Sequence, residues 1–427
     1  MRKFISEVFI LFFIFLLLTC CANNSNNSIN SNISNNTDRN SEKGGATPSP
    51  APVTDPVAEL MDKMTVEEKI GQLFIVSYRY DHEGSPLEAV DEDTRESIKK
   101  YKPGGVILFA ENVRTIPQTV TLIESLQELS RTPLFIAVDE EGGIVSRITK
   151  SPEMHATKFP DNAKIGETGD PELAEAVARA ISAEISSLGF NMNFAPVADI
   201  NSNPDNTVIG RRAYGSDAGL VSKMVSAAVS GIQSEQLSAV LKHFPGHGDT
   251  IEDSHYGSAS VSHSKERLFN TELLPFISGI EAGADCVMAA HILTPNIKGE
   301  NVPATLKHEI LTGILRNELG FNGLIITDAM NMGAITRFYK SDEAAVKAII
   351  AGADIVLMPE DLELAVTGVK EAVDSGKINV ERLNESVMRI LRTKQKRGIL
   401  NGTGQTKNPE NVLGCEEHRE LANRVSK

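Results

Sequence analysis

Short apolar runs alternate with longer amphipathic stretches along most of this chain. Runs at 73–76, 106–109, 134–138, 190–195, 239–243, 286–291, 324–327 and 354–358 are mostly apolar. That is the pattern of strands buried on both faces of a parallel sheet. Between most of them the apolar positions recur with helical spacing, as at 115–130, 171–188, 217–235, 266–282 and 342–351. Several strands follow a glycine where a helix should end, as in Pro103-Gly-Gly, Leu188-Gly, Ala282-Gly-Ala and Ala351-Gly-Ala. Thr65-Val-Glu-Glu68 reads as a capping box, with Thr65 as the helix cap and Glu68 three residues on. Eight strands alternating with helices over ~330 residues predict an α/β fold, a (β/α)8 TIM-type barrel forming a single catalytic domain. A doubly wound sheet is the alternative, weakened because no G-x-G-x-x-G follows an early strand.

A barrel of this kind places its active site at the C-terminal ends of the strands. Asp139 ends the third predicted strand, Lys242 and His243 the fifth, His291 the sixth and Asp328 the seventh. One such residue could be a structural ion pair; the set together predicts a polar pocket, because isolated charges there would be costly to bury.

The ends of the chain read differently. Met1-Arg-Lys3 and the apolar stretch 9–18 form a secretory signal too short for a comfortable membrane span. It ends in Leu17-Leu-Thr-Cys-Cys21 and resembles a bacterial lipoprotein signal over 1–21, with Cys21 the lipid-bearing residue and Cys20 the alternative; ordinary secretion is the competing reading. Residues 22–55 are rich in Asn, Ser and Pro and read as a disordered tether. The barrel is expected over 56–400, with a tail at 401–427. The expected location is the extracytoplasmic face of the cell membrane, with the lipid as the anchor.

Composition narrows the partners. The formal net charge of −15 argues against nucleic acid. The four cysteines stand at 20, 21, 286 and 415, with no C-x-x-C, which leaves no disulfide framework or four-cysteine zinc site in the body. Cys286, in an apolar run, reads as a buried structural thiol. No cofactor and no metal is expected.

The chemistry concentrates in Lys242-His-Phe-Pro-Gly-His-Gly-Asp-Thr-Ile-Glu-Asp-Ser-His255. A loop this long and structureless inside a compact domain is uncommon unless it carries function. Asp253 can fix the tautomer of His255 and leave its other nitrogen for proton transfer; a solvated loop histidine is the alternative. Asp328, directly after an apolar run, can attack an electrophilic carbon if it is kept ionised, or it can cap a helix. Asp139 with Arg147, and Arg212 near the fourth strand, suit a ligand with several hydroxyls, or else form surface ion pairs. A metal site from His243, His247, His255 and Asp249 is a further alternative.

These residues carry a resemblance. The stretch Lys242–Gly248 with Asp253-Ser-His255 is similar to the signature of glycoside hydrolase family 3, in its β-N-acetylglucosaminidase branch. The match extends, in family order, to Met64-Thr-Val-Glu-Glu-Lys-Ile-Gly-Gln-Leu-Phe74, Asp139-Glu-Glu-Gly-Gly143, Asn193-Phe-Ala-Pro196, Val208-Ile-Gly-Arg-Arg-Ala-Tyr-Gly215 and Thr327-Asp328. The resemblance implies a retaining hydrolase that removes terminal N-acetylglucosamine, with Asp328 as nucleophile and His255, paired with Asp253, as acid/base. It implies sugar-binding roles for Asp139, Arg147, Arg212, Lys242 and His243, and a loop-shaping role for His247. Together with the tether it implies peptidoglycan fragments or related glycans as substrate. Two departures stand out: Ile144 where the family usually has Arg, and Asp328-Ala-Met where many relatives have Asp-Asp-Leu. The tail 401–427 resembles the start of a connection to a second domain found in longer relatives. β-Glucosidase specificity and a binding lipoprotein without catalysis are the other readings.

Overall fold

The computed structural model describes residues 55–251, 257, 259–402 and 407–427. The signal with Cys20 and Cys21, the tether up to residue 54, and the Asp253 and His255 pair lie outside the described residues.

Eight parallel strands build the core: β1 (Phe74–Ser77), β2 (Gly105–Ile107), β3 (Phe135–Val138), β4 (Met192–Asn193), β5 (Ser238–Phe244), β6 (Cys286–Ala289), β7 (Leu324–Thr327) and β8 (Val356–Leu357). They pair in chain order, β8 next to β1, and the parallel bridge Ile326 to Ile355 joins β7 to the start of β8. The sheet therefore closes on itself, and all eight predicted strands are present. The doubly wound alternative does not hold, because an open sheet would leave two edges. Strand interiors such as Phe135–Val138 are fully buried, as expected where one face packs inside the barrel and the other under helices.

Local chemistry explains the helices. Thr65 caps Val66–Gln72: its hydroxyl accepts from Glu68 N at 3.2 Å, and Glu68 Oε2 accepts from Thr65 N at 2.9 Å. Helix Pro171–Ser187 starts with Asp170 as cap and proline at its first position. Gly352, with φ of 126°, ends Ser341–Ala351 as the glycine pattern predicts. At Pro103-Gly-Gly the expectation needs correction: the left-handed residue ending Glu92–Tyr101 is Lys102. The glycines there serve close approach instead, since a Cβ on Gly105 would stand 2.7 Å from the Phe135 carbonyl oxygen. The predicted helix 266–282 contains one wide turn, Leu268–Glu272, before Leu274–Glu281, where Pro275 has no N–H to donate.

The N-terminal end of the barrel is tied by buried ion pairs. Asp354 accepts from Ser386 Oγ at 2.7 Å, from Ile325 N at 3.0 Å and from Arg389 at 3.2 Å, and it also pairs with Arg316. Helix Glu416–Ser426 of the tail lies against helix Pro171–Ser187, with His418 Nδ1 2.9 Å from Glu184. Among the described residues no helix is long and apolar enough to cross a membrane.

Candidate active site

The C-terminal ends of β3, β4 and β5 bring together an ionic cluster. Lys242, on β5 and 2% exposed, points its ammonium between two carboxylates, 2.7 Å from Asp139 Oδ1 and 2.6 Å from Glu141 Oε1. Arg212, on the single turn Gly210–Arg212, grips Glu141 with two hydrogen bonds and donates to the Val208 carbonyl at 3.1 Å. Arg147 reaches Asp139 at 3.3 Å. Arg212 and Arg147 are thus part of the cluster, whereas neighbouring Arg211 makes the surface pair, with Asp161 at 3.3 Å.

Burial alone would favour the neutral acids here, but charge overrides it. The Glu141 carboxyl is held well below the usual range by Arg212 and Lys242, and the Asp139 carboxyl is held below it by Lys242 and Arg147. At adjacent Glu140 burial outweighs the hydrogen bonds it accepts and the Arg147 charge, and pushes its pKa up to about 7. Its Oε2 accepts from Arg147 N at 2.7 Å and Ile148 N at 3.1 Å, which fixes the backbone that carries Arg147.

His243 sits between the cluster and a second acid. Its Nδ1 is 2.7 Å from Asp199 Oδ2, and its Nε2 is 3.4 Å from Arg212 Nη2. A guanidinium can only donate, so Nε2 accepts and the proton resides on Nδ1, facing Asp199. Asp199, fully buried, also accepts from the backbone N–H of His243 at 3.1 Å and of His247 at 2.7 Å. His247 is buried and bonded through Nδ1 to Thr250 Oγ1 at 2.8 Å, a loop-shaping geometry. A Cβ on Gly248 would overlap the Ile200 carbonyl oxygen at 1.7 Å, so only glycine lets this loop lie against the segment after β4. Asp249 turns away to Ser202 at 3.0 Å and His263 at 3.2 Å. No group of three or more His, Cys, Asp or Glu side chains placed to hold a metal occurs among the described residues.

Asp328 follows β7, four strands round from β3 and hence across the mouth from the cluster. It is half-buried; its N–H donates to Ala289 O at 2.9 Å, and its Oδ1 accepts from Ala329 N at 2.8 Å. It does not cap a helix, because the next one, Gly333–Thr336, begins after Met332. The Asp328 charge is close enough to act on the His247 imidazole, although burial prevails and lowers the His247 pKa. His291, expected at the pocket, is fully buried instead, bonded to Thr305 Oγ1 at 2.8 Å and Ala329 O at 3.0 Å. It braces the backbone beside Asp328. Cys286 is buried, and desolvation raises its thiol pKa.

The sequence reading missed Glu141 and Asp199. Glu141 stands within the Asp139-Glu-Glu motif itself, and Asp199 lies beyond β4, where the same strand-end rule would have found it.

The sequence profile of the Glycosyl hydrolase family 3 N terminal domain matches residues 65–393. The chain belongs to glycoside hydrolase family 3. Beta-hexosaminidase A of Pseudoalteromonas piscicida is 36% identical over 395 residues, covering 84% of this chain and 65% of that protein. A Beta-hexosaminidase of Nitrosomonas eutropha is 34% identical over 327 residues, covering 74% of this chain and 91% of that one. Among solved structures, a family 3 β-N-acetylglucosaminidase from Paenibacillus sp. str. FPU-7 superposes with a TM-score of 0.79 at 40% identity, covering 85% of this chain and 68% of that one. The family 3 chain described here spans slightly less than two thirds of the length of the Pseudoalteromonas relative.

Proposed function

We propose that this chain is a retaining exo-β-N-acetylglucosaminidase. The observation that carries the reading is the placement of Asp328 across the mouth from a cluster in which three cations, Lys242, Arg147 and Arg212, meet two carboxylates, Asp139 and Glu141. Charged donors and acceptors in fixed positions suit the hydroxyls of a terminal sugar. The hexosaminidase relatives support the N-acetyl sugar as substrate.

In the first step the Asp328 carboxylate attacks the anomeric carbon while the bond to the leaving oxygen breaks, and protonated His255 gives that oxygen its proton. In the second step neutral His255 takes a proton from water as the water oxygen displaces Asp328. The sugar leaves, and Asp328 and protonated His255 are restored. Asp253 orients His255 and stabilises its charged form. Asp139, Arg147, Arg212, Lys242 and His243 hold the sugar. The proposal places the enzyme on the outer face of a membrane, anchored by lipid on Cys21, with peptidoglycan fragments or related glycans as substrate.

Hydrolysis of an aryl N-acetyl-β-glucosaminide by the purified protein, beside Asp328→Ala and His255→Ala, tests the reaction. Turnover by wild type that both variants lose supports it; a folded wild-type protein without turnover overturns it. A parallel assay on the aryl β-glucoside decides specificity, a second reading favoured by a Cellulomonas fimi relative, 30% identical, whose name joins β-N-acetylglucosaminidase and β-glucosidase. Labelling with a radioactive fatty acid, lost in Cys21→Ser, tests the anchor.

A further inference from the structure

His263 joins two stretches of chain that stand on either side of Asp253 and His255 in the sequence. Its Nε2 lies 3.2 Å from Asp249 Oδ2 and 3.5 Å from Glu272 Oε1. The outgoing limb is held to the segment after β4: Asp249 accepts from Ser202 Oγ at 3.0 Å, and Thr250 Oγ1 accepts from Asn206 Nδ2 at 3.3 Å. The returning limb is held to the segment after β6. There Ala259–Ser260 pairs with Ile292–Leu293, Val261 N donates to Leu293 O at 3.0 Å, and Asn296 Nδ2 donates to Ser262 O at 2.7 Å. Ile292 directly follows His291, which braces the backbone beside Asp328. One limb is thus registered to the Asp199 side of the mouth and the other to the Asp328 side, and the contact of His263 with Asp249 ties them.

The second acid is placed by the wide turn Leu268–Glu272. That turn stacks residues five apart where a regular helix stacks four, so Arg267 meets Glu272 Oε1 at 2.9 Å from Nη2 and at 3.0 Å from Nε. Glu272 also lies against the Lys242–Gly248 motif, since a Cβ on Gly246 would stand 3.0 Å from its Cβ. The side chains of Glu272 and His263 are 5% and 14% exposed, so salt and water screen a charge between them only in part. His263 Nε2 makes no aligned hydrogen bond to either acid among the described residues. What a side chain at 263 supplies here is therefore charge rather than a directed bond. A cation attracts both carboxylates, and a neutral group of similar size does not.

We propose that His263 is a positioning residue for the acid/base step. Its charge, shared between Asp249 and Glu272, ties the two limbs of the segment that carries His255 and so sets where that imidazole meets the leaving oxygen. A proton donor misplaced by about 1 Å loses much of its effect, so the tie acts on proton transfer and leaves the sugar-holding cluster alone. The inference rests on the glycosidase reading and adds to it the group that holds the acid/base in place.

The test compares wild type, His263→Gln and His263→Lys on the phenyl and 2,4-dinitrophenyl N-acetyl-β-glucosaminides. A phenol leaves well only with a proton from the acid, whereas dinitrophenolate leaves without one. The expected result is a fall of about tenfold in kcat/KM on the phenyl substrate for His263→Gln, with the dinitrophenyl value within about twofold of wild type. His263→Lys should recover most of the loss, because it restores the cation. Equal losses on both substrates, no loss on the phenyl substrate, or a lysine variant no better than the glutamine one each overturn the assignment. Hydrogen exchange reads the tie without turnover: the Val261 amide should exchange about fivefold faster in His263→Gln than in wild type, with β3 unchanged. Unchanged exchange at Val261 overturns the tie. Wild type hydrolysing neither substrate would sink the glycosidase reading and with it the acid/base role, while exchange still decides the tie.

Discussion

The Arg212 guanidinium grips the Glu141 carboxylate through Nε to Oε2 at 3.0 Å and Nη2 to Oε1 at 2.8 Å, across 71 positions of sequence. The pair is nearly sealed from solvent, at 13% and 2% side-chain exposure, and Lys242 adds a second cation to the same carboxylate. Removing one member of such a group leaves the others buried and uncompensated. Glu141→Gln should therefore cost about 3 kcal/mol of stability or more, measured by denaturant unfolding. A loss below about 1 kcal/mol would mean that water reaches the cluster and the pair is a surface one.

Asp199 holds His243 in one tautomer and anchors the backbone of His243 and His247. Asp199→Asn keeps the size but cannot accept from all three N–H groups. We expect kcat/KM on the aryl substrate to fall by about tenfold or more, with circular dichroism unchanged. Unchanged kinetics would remove His243 from the sugar-binding set.

Lys394 is fully buried, with its ammonium 2.8 Å from Gln72 Oε1, and desolvation lowers its pKa to about 7. In the unfolded chain it holds its proton up to about pH 10.4. Between these values the unfolded state binds more protons, so this group makes stability rise with pH. The destabilisation is full below pH 7 and gone above about pH 10.4. Wild type should gain melting temperature relative to Lys394→Met as pH rises from 7 to 10. A constant difference between the two would show that Lys394 stays charged in the fold.

Asp354 lies at the opposite end of the barrel from Asp328, before β8, under Arg316, Arg382 and Arg389. Residues at this end serve stability rather than chemistry. Asp354→Ala should lose about 3–5 kcal/mol while its kcat at a temperature where it stays folded remains within about twofold of wild type. A selective loss of kcat would contradict that division.

Much of the fold was legible because its signals are local. Eight apolar runs, glycines at helix ends and the Thr65 capping box each depend on neighbours within a few residues. The exceptions were places where a distant backbone decides: Gly104 and Gly105 are small because Gln72 and Phe135 crowd them, and not because they end a helix. The strand-end rule found Asp139, Lys242, His243 and Asp328, since a polar residue closing a buried strand is visible in one dimension. It also selected His291, and nothing in the sequence says that this ring meets Thr305 and Ala329 rather than the mouth.

By itself the sequence determined that a parallel α/β barrel forms and which polar residues close its strands, because strand burial and strand order follow from hydrophobic period and spacing. Only the tertiary structure decided which charges meet. Lys242 is shared between Asp139 and Glu141, Arg212 turns inward while Arg211 turns out, and Asp199 takes His243, because barrel closure sets β3, β4 and β5 side by side. Contacts between residues far apart in the chain depend on that closure, and no local pattern encodes them.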